Sequence, residues 1–89
     1  MLSLLKTMHS LRICHLDIKT ENVGWSPAFQ KFVFLDFSFT KIIKEKIGHK
    51  TFTGFYGTYN YCCPEMKKLF LLGEMSYVDL YLNDLYSLN

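Results

Sequence analysis

The chain has 89 residues, of which 49% are hydrophobic and 17% aromatic, and its formal net charge is +2. This composition is typical of a single small folded domain over residues 1–89 and argues against a disordered tail. A charge this low favours no nucleic-acid partner, and no apolar run approaches the roughly 20 residues that span a bilayer, so we expect neither nucleic acid nor a membrane as a partner.

The first segment, MLSLLKTMHSLRICHL, is basic and contains no acidic residue, as a mitochondrial presequence would. Its apolar residues also recur at helical spacing, at Leu4, Leu5, Met8 and Leu11. This pattern predicts an amphipathic helix over residues 2–12 that packs its apolar stripe on a core. We favour the core helix over the presequence. A secretory signal is disfavoured, because Lys6 interrupts the apolar run.

The next elements predict a β-hairpin. Residues 23–25 and 32–35 are rich in β-branched and aromatic side chains, which favour strands. The sequence SPAFQK between them provides the turn, where Pro27 restricts the backbone.

The second half of the chain predicts more loop than regular structure. KIIKEKIGHKTFTGFYG has mixed periodicity and several lysines and glycines, which indicates a long loop with KEKIGHK as a solvated face. Pro64 and Glu65 favour a short helix over residues 64–70, and another helix is expected to begin near Asn83. These elements predict an α+β fold with no closed core of its own.

The three cysteines predict free thiols. Cys14, Cys62 and Cys63 are odd in number, and adjacent cysteines rarely bridge each other. We therefore expect reduced thiols in an intracellular, cytoplasmic protein. A zinc site involving His9, His15 or His49 has little support, because the sequence has no C-x-x-C or H-x-x-x-H pair.

The sequence CHLDIKTENVGW concentrates polar residues in an otherwise apolar region. Singly, each has an ordinary structural explanation: His15 as a packed histidine, Asp17 as a turn cap, Asn22 as a left-handed residue. Asp36 could simply end a strand. Together they have the groups that phosphoryl transfer needs, namely a proton acceptor, a cation and oxygen ligands for magnesium. Asp36 follows the apolar run FVFL, so we expect a buried strand to hold it rigidly.

Four ordered motifs resemble those of eukaryotic protein kinases. HLDIKTEN resembles the catalytic loop H-R-D-L-x-x-x-N, and LDFS resembles D-F-G. GTYNYCCPE resembles the end of an activation segment, and NDLYSLN resembles the start of the central helix of the C-terminal lobe. The resemblance covers nearly the whole chain and implies part of a kinase C-terminal lobe: helix, catalytic loop, β-hairpin, activation segment, short helix and the start of the central helix.

The resemblance also implies roles for individual residues. Asp17 would be the catalytic base and Lys19 the cation that contacts phosphate. Asn22 and Asp36 would bind Mg²⁺ and, through it, ATP. Thr58 would hydrogen-bond near Asp17 and Lys19 and help place the substrate hydroxyl.

Two further residues have structural roles by resemblance. Asp84 would hold the backbone of the catalytic loop, and Glu65 would pair with an arginine that this chain lacks. Lys19 and the G-T pair before P-E are more typical of serine/threonine kinases than of tyrosine kinases. The implied substrate is therefore a protein serine or threonine hydroxyl.

The sequence departs from the family pattern at several positions. Leu16 stands where many kinases have arginine, so no guanidinium can bind a phosphate there. Thr51 and Thr53 could still be phosphorylated, and we expect activity to depend only weakly on this modification. The alternative, which we favour, is that both are ordinary polar residues of a loop. Ser38 and Asn89 replace glycines of the D-F-G and central-helix motifs, and Ser38 is expected to stiffen the segment.

The chain contains no Gly-rich loop, no V-A-I-K-like lysine and no hinge, the elements that form the N-terminal lobe in the family. We therefore expect little or no activity from these 89 residues alone. One alternative is a non-catalytic, kinase-derived piece that binds a protein partner through exposed apolar surface of the C-terminal lobe. Another is an incomplete gene product with no independent role.

Overall fold

The computed structural model describes residues 2–45 and 47–88, so the prediction at Asn89 lies outside the described residues. Within those ranges the protein is a small α+β domain with three α-helices and three two-stranded antiparallel sheets, which confirms the predicted class. The first elements are α1 (Leu2–Ser10), β1 (Ile13–Cys14), β2 (Val23–Ser26), β3 (Lys31–Phe34) and β4 (Lys41–Ile42). The remaining ones are β5 (Thr51–Thr53), α2 (Pro64–Leu72), β6 (Ser76–Val78) and α3 (Leu80–Leu88).

Helix α1 packs on the rest of the domain through its apolar face, as predicted. Leu5 is completely buried, and Leu4 and Met8 pack beside it. Leu11 does not belong to this face and is 63% exposed, so its predicted place in the stripe is wrong. The reason is that the helix ends at Ser10, and Arg12 then turns the chain with a positive φ of 61°.

Strands β2 and β3 form the predicted hairpin, in antiparallel register with Val23 opposite Phe34. Near the turn of the hairpin Trp25 packs edge-on against Phe32, with ring centroids 5.2 Å apart, as expected of a cross-strand aromatic pair. Strand β3 ends at Phe34, before the predicted end at Leu35.

The prediction of one long loop over residues 41–57 is wrong, because two strands lie within it. Strand β4 pairs with β1, and β5 pairs with β6, so both partners lie far away in sequence. Thr51 and Thr53 are therefore strand residues, and Thr53 is buried. β-Branched and aromatic side chains favour a strand once a distant partner is present. The described residues of KEKIGHK are exposed, as predicted, and Lys46 lies outside the described residues.

Helix α2 begins at Pro64, as predicted, and ends at Leu72, two residues later than predicted. Gly73 follows in the left-handed region, with a φ of 65°, and its N–H donates to the carbonyl oxygen of Leu69. Glycine adopts this conformation at little cost and ends the helix.

Helix α3 begins at Leu80, three residues before the predicted start. Asp79 precedes it and accepts a hydrogen bond from the Leu82 N–H at 3.0 Å, the interaction of an N-cap residue.

The described residues form two separate buried clusters, and many large apolar side chains, Phe29 and Leu71 among them, stay exposed, which agrees with the expectation of no single closed core. The larger lies among β1, α2, β6 and α3, and the smaller lies between α1 and the hairpin. The larger consists of Cys14, Leu16, Ile43, Cys62, Cys63, Met66, Leu69, Val78 and Leu80; the smaller consists of Leu5, Ile18 and Phe34.

Candidate functional site

The segment of residues 15–22, which we call the polar loop, runs from β1 to β2. Two of its apolar residues enter different cores: Leu16 packs in the larger cluster and Ile18 in the smaller one. Leu16 has a positive φ of 71°, and Gly57, with a φ of 108°, lies directly against its carbonyl oxygen. A Cβ atom at Gly57 would overlap that oxygen, so only glycine allows this approach. Leu16 and Ile18 thus fix the polar loop on the two clusters, and Gly57 allows its own segment to approach the loop closely.

Four of the five predicted site residues are joined by direct hydrogen bonds. The Thr58 hydroxyl donates to Asp17 Oδ1 at 2.7 Å, and Lys19 Nζ donates to Thr58 Oγ1 at 2.9 Å. Asn22 Nδ2 donates to Asp17 Oδ2 at 3.0 Å and to the Asp17 carbonyl oxygen at 2.9 Å. We call Asp17, Lys19, Asn22 and Thr58 the Asp17 cluster.

Asp17 lies at the centre of this cluster and is only 7% exposed. Each of its carboxylate oxygens accepts a hydrogen bond, and Lys19 Nζ lies 3.9 Å from Oδ1. A nearly buried carboxylate needs such donors and a nearby cation to offset the solvation that it loses. The Asp17 carboxylate is therefore oriented from two sides and charge-compensated, as a positioned proton acceptor must be.

Thr58 was predicted to lie near Asp17 and Lys19, and the hydrogen bonds confirm this contact. Its hydroxyl accepts from Lys19 and donates to Asp17, so it connects a cation to a carboxylate. The two partners precede Thr58 by about forty residues, so only the tertiary fold joins them.

The structural environment of Asp36 differs from the predicted one. Strand β3 ends two residues earlier, and Asp36 lies exposed in the left-handed region with a φ of 49°. Its carboxylate accepts hydrogen bonds from the N–H and the hydroxyl of Ser38. The expectation that a buried strand holds Asp36 rigidly is therefore wrong, because the chain leaves the strand and turns before it reaches this residue.

Ser38 also determines the acidity of Asp36. The Ser38 hydroxyl, and then its N–H, hold the pKa of the Asp36 carboxyl below its ordinary value, because both stabilise the ionised form. The carboxylate is therefore ionised at neutral pH and available as an oxygen ligand.

The backbone links Asp36 to the polar loop. Leu35 donates its N–H to the Asn22 carbonyl oxygen at 2.7 Å, where the β-hairpin meets the loop. The Asn22 amide nitrogen is used in the bonds to Asp17, so the amide oxygen is the atom of that side chain that can bind a cation. Asn22 and Asp36 thus have the hard oxygen donors that Mg²⁺ prefers.

His15 makes a connection that the sequence alone did not reveal. It is fully buried, and its Nδ1 accepts the Asp17 N–H at 3.1 Å while Nε2 lies 3.1 Å from the Leu35 carbonyl oxygen. A ring with an acceptor at Nδ1 carries its proton at Nε2, so Nε2 donates to Leu35. The sequence allowed the interpretation of His15 as a packed histidine. The structure agrees, because the rings of Phe34 and Phe37 lie about 5 Å from the imidazole. The bridge between Asp17 and Leu35 left no sequence signal.

Asp84 fixes the start of the polar loop, as predicted. Its two carboxylate oxygens accept the backbone N–H groups of His15 and Leu16 at 2.8 and 2.9 Å. His9 Nε2, near the end of α1, also lies 3.0 Å from Asp84 Oδ2. Glu65, the other predicted structural acid, is exposed and lies 3.7 Å from Lys50 Nζ.

The three cysteines are free thiols, as predicted. Burial raises the pKa of Cys14, Cys62 and Cys63 alike, and neighbouring carboxylates raise that of Cys14 further. All three are therefore protonated at neutral pH and poor nucleophiles.

Comparisons with known proteins leave the family open. The sequence matches no protein-family model, and no curated protein matches it significantly. Across residues 2–45 and 47–88, the helices are all too short or too polar to cross a membrane.

Proposed function

We propose that the Asp17 cluster and Asp36 serve Mg²⁺- and ATP-dependent phosphoryl transfer to serine or threonine hydroxyls of a protein substrate, as in the protein kinases that the motifs resemble. The hydrogen-bonded group of Asp17, Lys19 and Thr58 carries this proposal. It combines a proton acceptor, a fixed cation and an orienting hydroxyl, which are the parts this reaction needs.

Asp17 would accept the proton of the attacking hydroxyl. Its carboxylate is fixed by the Asn22 amide and the Thr58 hydroxyl, so little reorganisation is needed when the substrate binds. Lys19, fixed by Thr58, would stabilise negative charge on the transferred phosphoryl group.

Asn22 and Asp36 would hold Mg²⁺, because their free donor atoms are an amide oxygen and a carboxylate. When bound, Mg²⁺ neutralises charge on the phosphate oxygens of ATP. The backbone carbonyl oxygen of Asn22 accepts the N–H of Leu35, the residue before Asp36, which supports a position of Asp36 near Asn22.

The order of the elements supports a kinase C-terminal lobe as the fold. A helix, a polar loop, a hairpin, a segment leading to Thr58, a short helix and a further helix follow in the order that the resemblance implies. The Asp84 bonds to the backbone of the polar loop, also implied by it, support the same assignment.

Divalent-cation binding tests the proposal without depending on turnover. Mn²⁺ added in place of Mg²⁺ is expected to broaden the NMR signals of Asn22 and of residues near Asp36, because a paramagnetic ion relaxes nearby nuclei. Asp36→Asn should reduce the broadening strongly, and the control Asp79→Asn should leave it unchanged. Uniform or absent broadening in the folded chain would reject the site.

Phosphoryl transfer is tested with radiolabelled ATP, Mg²⁺ and a generic basic protein substrate. We expect little or no transfer from these 89 residues alone and a higher rate from any longer natural product that contains them. Asp17→Asn, which preserves the size of the side chain, should abolish transfer in either protein. Transfer that survives this substitution would disprove the role of Asp17.

A second function, non-catalytic binding of a protein partner, is favoured by one observation. A groove of about 490 Å³ has an almost entirely apolar lining, and exposed apolar surface of this kind often marks an interaction site. It is lined by Leu4, Met8, Ile13, Val33, Phe34, Phe37 and Thr40. Cross-linking in cells should recover a reproducible protein partner, and Met8→Lys should reduce its recovery. Recovery of no reproducible partner would argue against this function.

A further inference from the structure

Three side chains capable of binding a metal converge beside β1. They are His9 near the end of α1, Cys14 in β1 and Asp84 in α3. Their nitrogen, sulfur and oxygen atoms all lie within 4.8 Å of one another. Because Asp84 is about seventy residues from the other two, this convergence is a product of the tertiary fold, and sequence spacing could not predict it.

We propose that His9, Cys14 and Asp84 form a binding site for Zn²⁺. Imidazole, thiolate and carboxylate are the three ligand types that zinc uses in proteins, and a thiolate disfavours Mg²⁺ and Ca²⁺. The site is separate from the Asp17 cluster and does not depend on the function proposed for it.

The geometry requires only small side-chain movements. Zinc–ligand distances of about 2.0–2.3 Å in a tetrahedron place neighbouring ligand atoms roughly 3.3–3.8 Å apart. His9 Nε2 and Asp84 Oδ2 are 3.0 Å apart, and the ligand atoms that the three residues offer, the Cys14 sulfur among them, all lie within 4.8 Å of one another. The sulfur would approach the other two ligand atoms by at most about 1 Å on binding.

The surroundings orient the carboxylate, as second-shell groups do at zinc sites. Asp84 is fully buried and accepts the backbone N–H groups of His15 and Leu16. Such donors fix a ligating carboxylate and are nearly as important as the ligands themselves. Cys14 is also fully buried and protonated in the free chain, so zinc binding would displace the thiol proton to water in the cleft and leave the bound thiolate shielded from solvent.

An opening to solvent provides a route for the ion. A cleft of about 450 Å³ lies against His9 and is lined also by Ser10, Arg12, His49, Asp79 and Tyr81. Of the three ligands only His9 lines this cleft, and Cys14 and Asp84 are buried, so zinc would enter at the imidazole. A water molecule from the cleft would complete the four ligands. A metal here would join α1, β1 and α3 and so hold the start of the polar loop.

Zinc binding by the purified chain, after removal of metals with a chelator, tests the site. We expect one Zn²⁺ per chain in native mass spectrometry. Co²⁺ in place of Zn²⁺ should give a thiolate-to-cobalt charge-transfer absorption, which requires a cysteine ligand. Cys14→Val fills a similar volume without a ligand atom, so it should abolish this absorption and weaken zinc binding by more than about tenfold.

Cys62→Val is the matched control, because Cys62 is also buried but its sulfur donates to the Tyr59 carbonyl oxygen. It should keep full zinc affinity and the cobalt absorption. Circular dichroism checks that both variants fold. If Cys14→Val does not fold, the cobalt spectrum of the unmodified chain decides, because a folded chain without the thiolate band would overturn the proposal. Loss of zinc in Cys62→Val, or equal affinity in Cys14→Val, would do so too.

Discussion

Asp17 and Asp36 are both carboxylates of the proposed site, and the fold holds them in different ways. Asp17 is nearly buried and bonded by Asn22 within its own loop and by Thr58 from a distant segment. Asp36 is exposed and bonded only two residues away, by Ser38. One carboxylate therefore depends on the tertiary structure and the other on a local turn, so substitutions should affect them unequally.

The largest effect is expected from Asp84, which fixes the start of the loop that carries Asp17. Asp84→Ala leaves the N–H groups of His15 and Leu16 without their acceptor in the protein interior. We expect the free energy of unfolding to fall by about 3–5 kcal/mol, which approaches the whole stability of a small domain. Urea denaturation followed by circular dichroism, with EDTA present to exclude any metal, measures this loss.

Asp79→Ala is the control, because Asp79 also bonds a backbone N–H but only at the start of α3. Loss of such a cap costs about 1 kcal/mol. If both variants lost the same stability, Asp84 would not have the special role that its bonds to the polar loop indicate.

Gly57→Ala should separate the segment of Thr58 from the polar loop. Gly57 has a φ of 108°, and an added methyl group would overlap the Leu16 carbonyl oxygen. We expect a loss of about 2–3 kcal/mol from backbone strain and the clash, together with NMR shift changes at Thr58 and Asp17.

Gly48→Ala is the matched control for this substitution. Gly48 also has a positive φ, of 63°, but no atom lies within 4 Å of the added carbon. It should lose only about 1 kcal/mol, the cost of a left-handed alanine. Similar losses at the two glycines would mean that the contact with Leu16 contributes nothing.

Thr58→Val should have a smaller effect, because it removes one hydroxyl and leaves the loop in place. We expect the loss of its hydrogen bonds to Asp17 and Lys19 to lower the free energy of unfolding by about 1 kcal/mol. Urea denaturation measures this difference. The Asn22 side-chain amide should keep its NMR shift, since its bonds to Asp17 remain. Thr58→Ser should restore the stability, and a failure to do so would show that the methyl group, not the hydroxyl, is important.

The same contrast explains how much of the fold was predictable. Helices α1 and α2 and the β2–β3 hairpin have local signals: helical spacing, a proline at a helix start, and two β-rich runs joined by a short turn. Strands β4 and β5 do not, because each pairs with a distant partner in sequence. The stop of α1 before Leu11 also came from a local backbone turn at Arg12 that no periodicity reveals.

The site was predictable to a similar extent. The polar loop alone indicated that Asp17, Lys19 and Asn22 act together, and the resemblance of the motifs implied that Thr58 lies near them; the hydrogen bonds show that all four are in contact. The sequence could not predict that Asp36 would be exposed, because the apolar run before it indicated a buried strand. The chain leaves that strand at Phe34, and Asp36 then takes a left-handed conformation with a local bond to Ser38, which an apolar run does not indicate.

The smallest effect is expected at Ser38, where the bond to Asp36 is local. Ser38→Ala removes the hydroxyl that contributes most to lowering the Asp36 pKa, so this pKa should rise towards its ordinary value and stay slightly low because the N–H remains. A carboxyl whose pKa is lowered on folding stabilises the fold above its unfolded-state pKa and loses that contribution as the pH falls through the folded-state pKa. The stability that the protein loses on acidification because of Asp36 should therefore be smaller in Ser38→Ala.

Carbon-13 NMR titration of the carboxyl groups measures the Asp36 pKa directly. Glu21 is an internal control, because Thr20, not Ser38, lowers its pKa. An unchanged Asp36 pKa in the variant would show that Ser38 does not determine the state of this carboxylate, and the contrast with Asp17 would then need another cause.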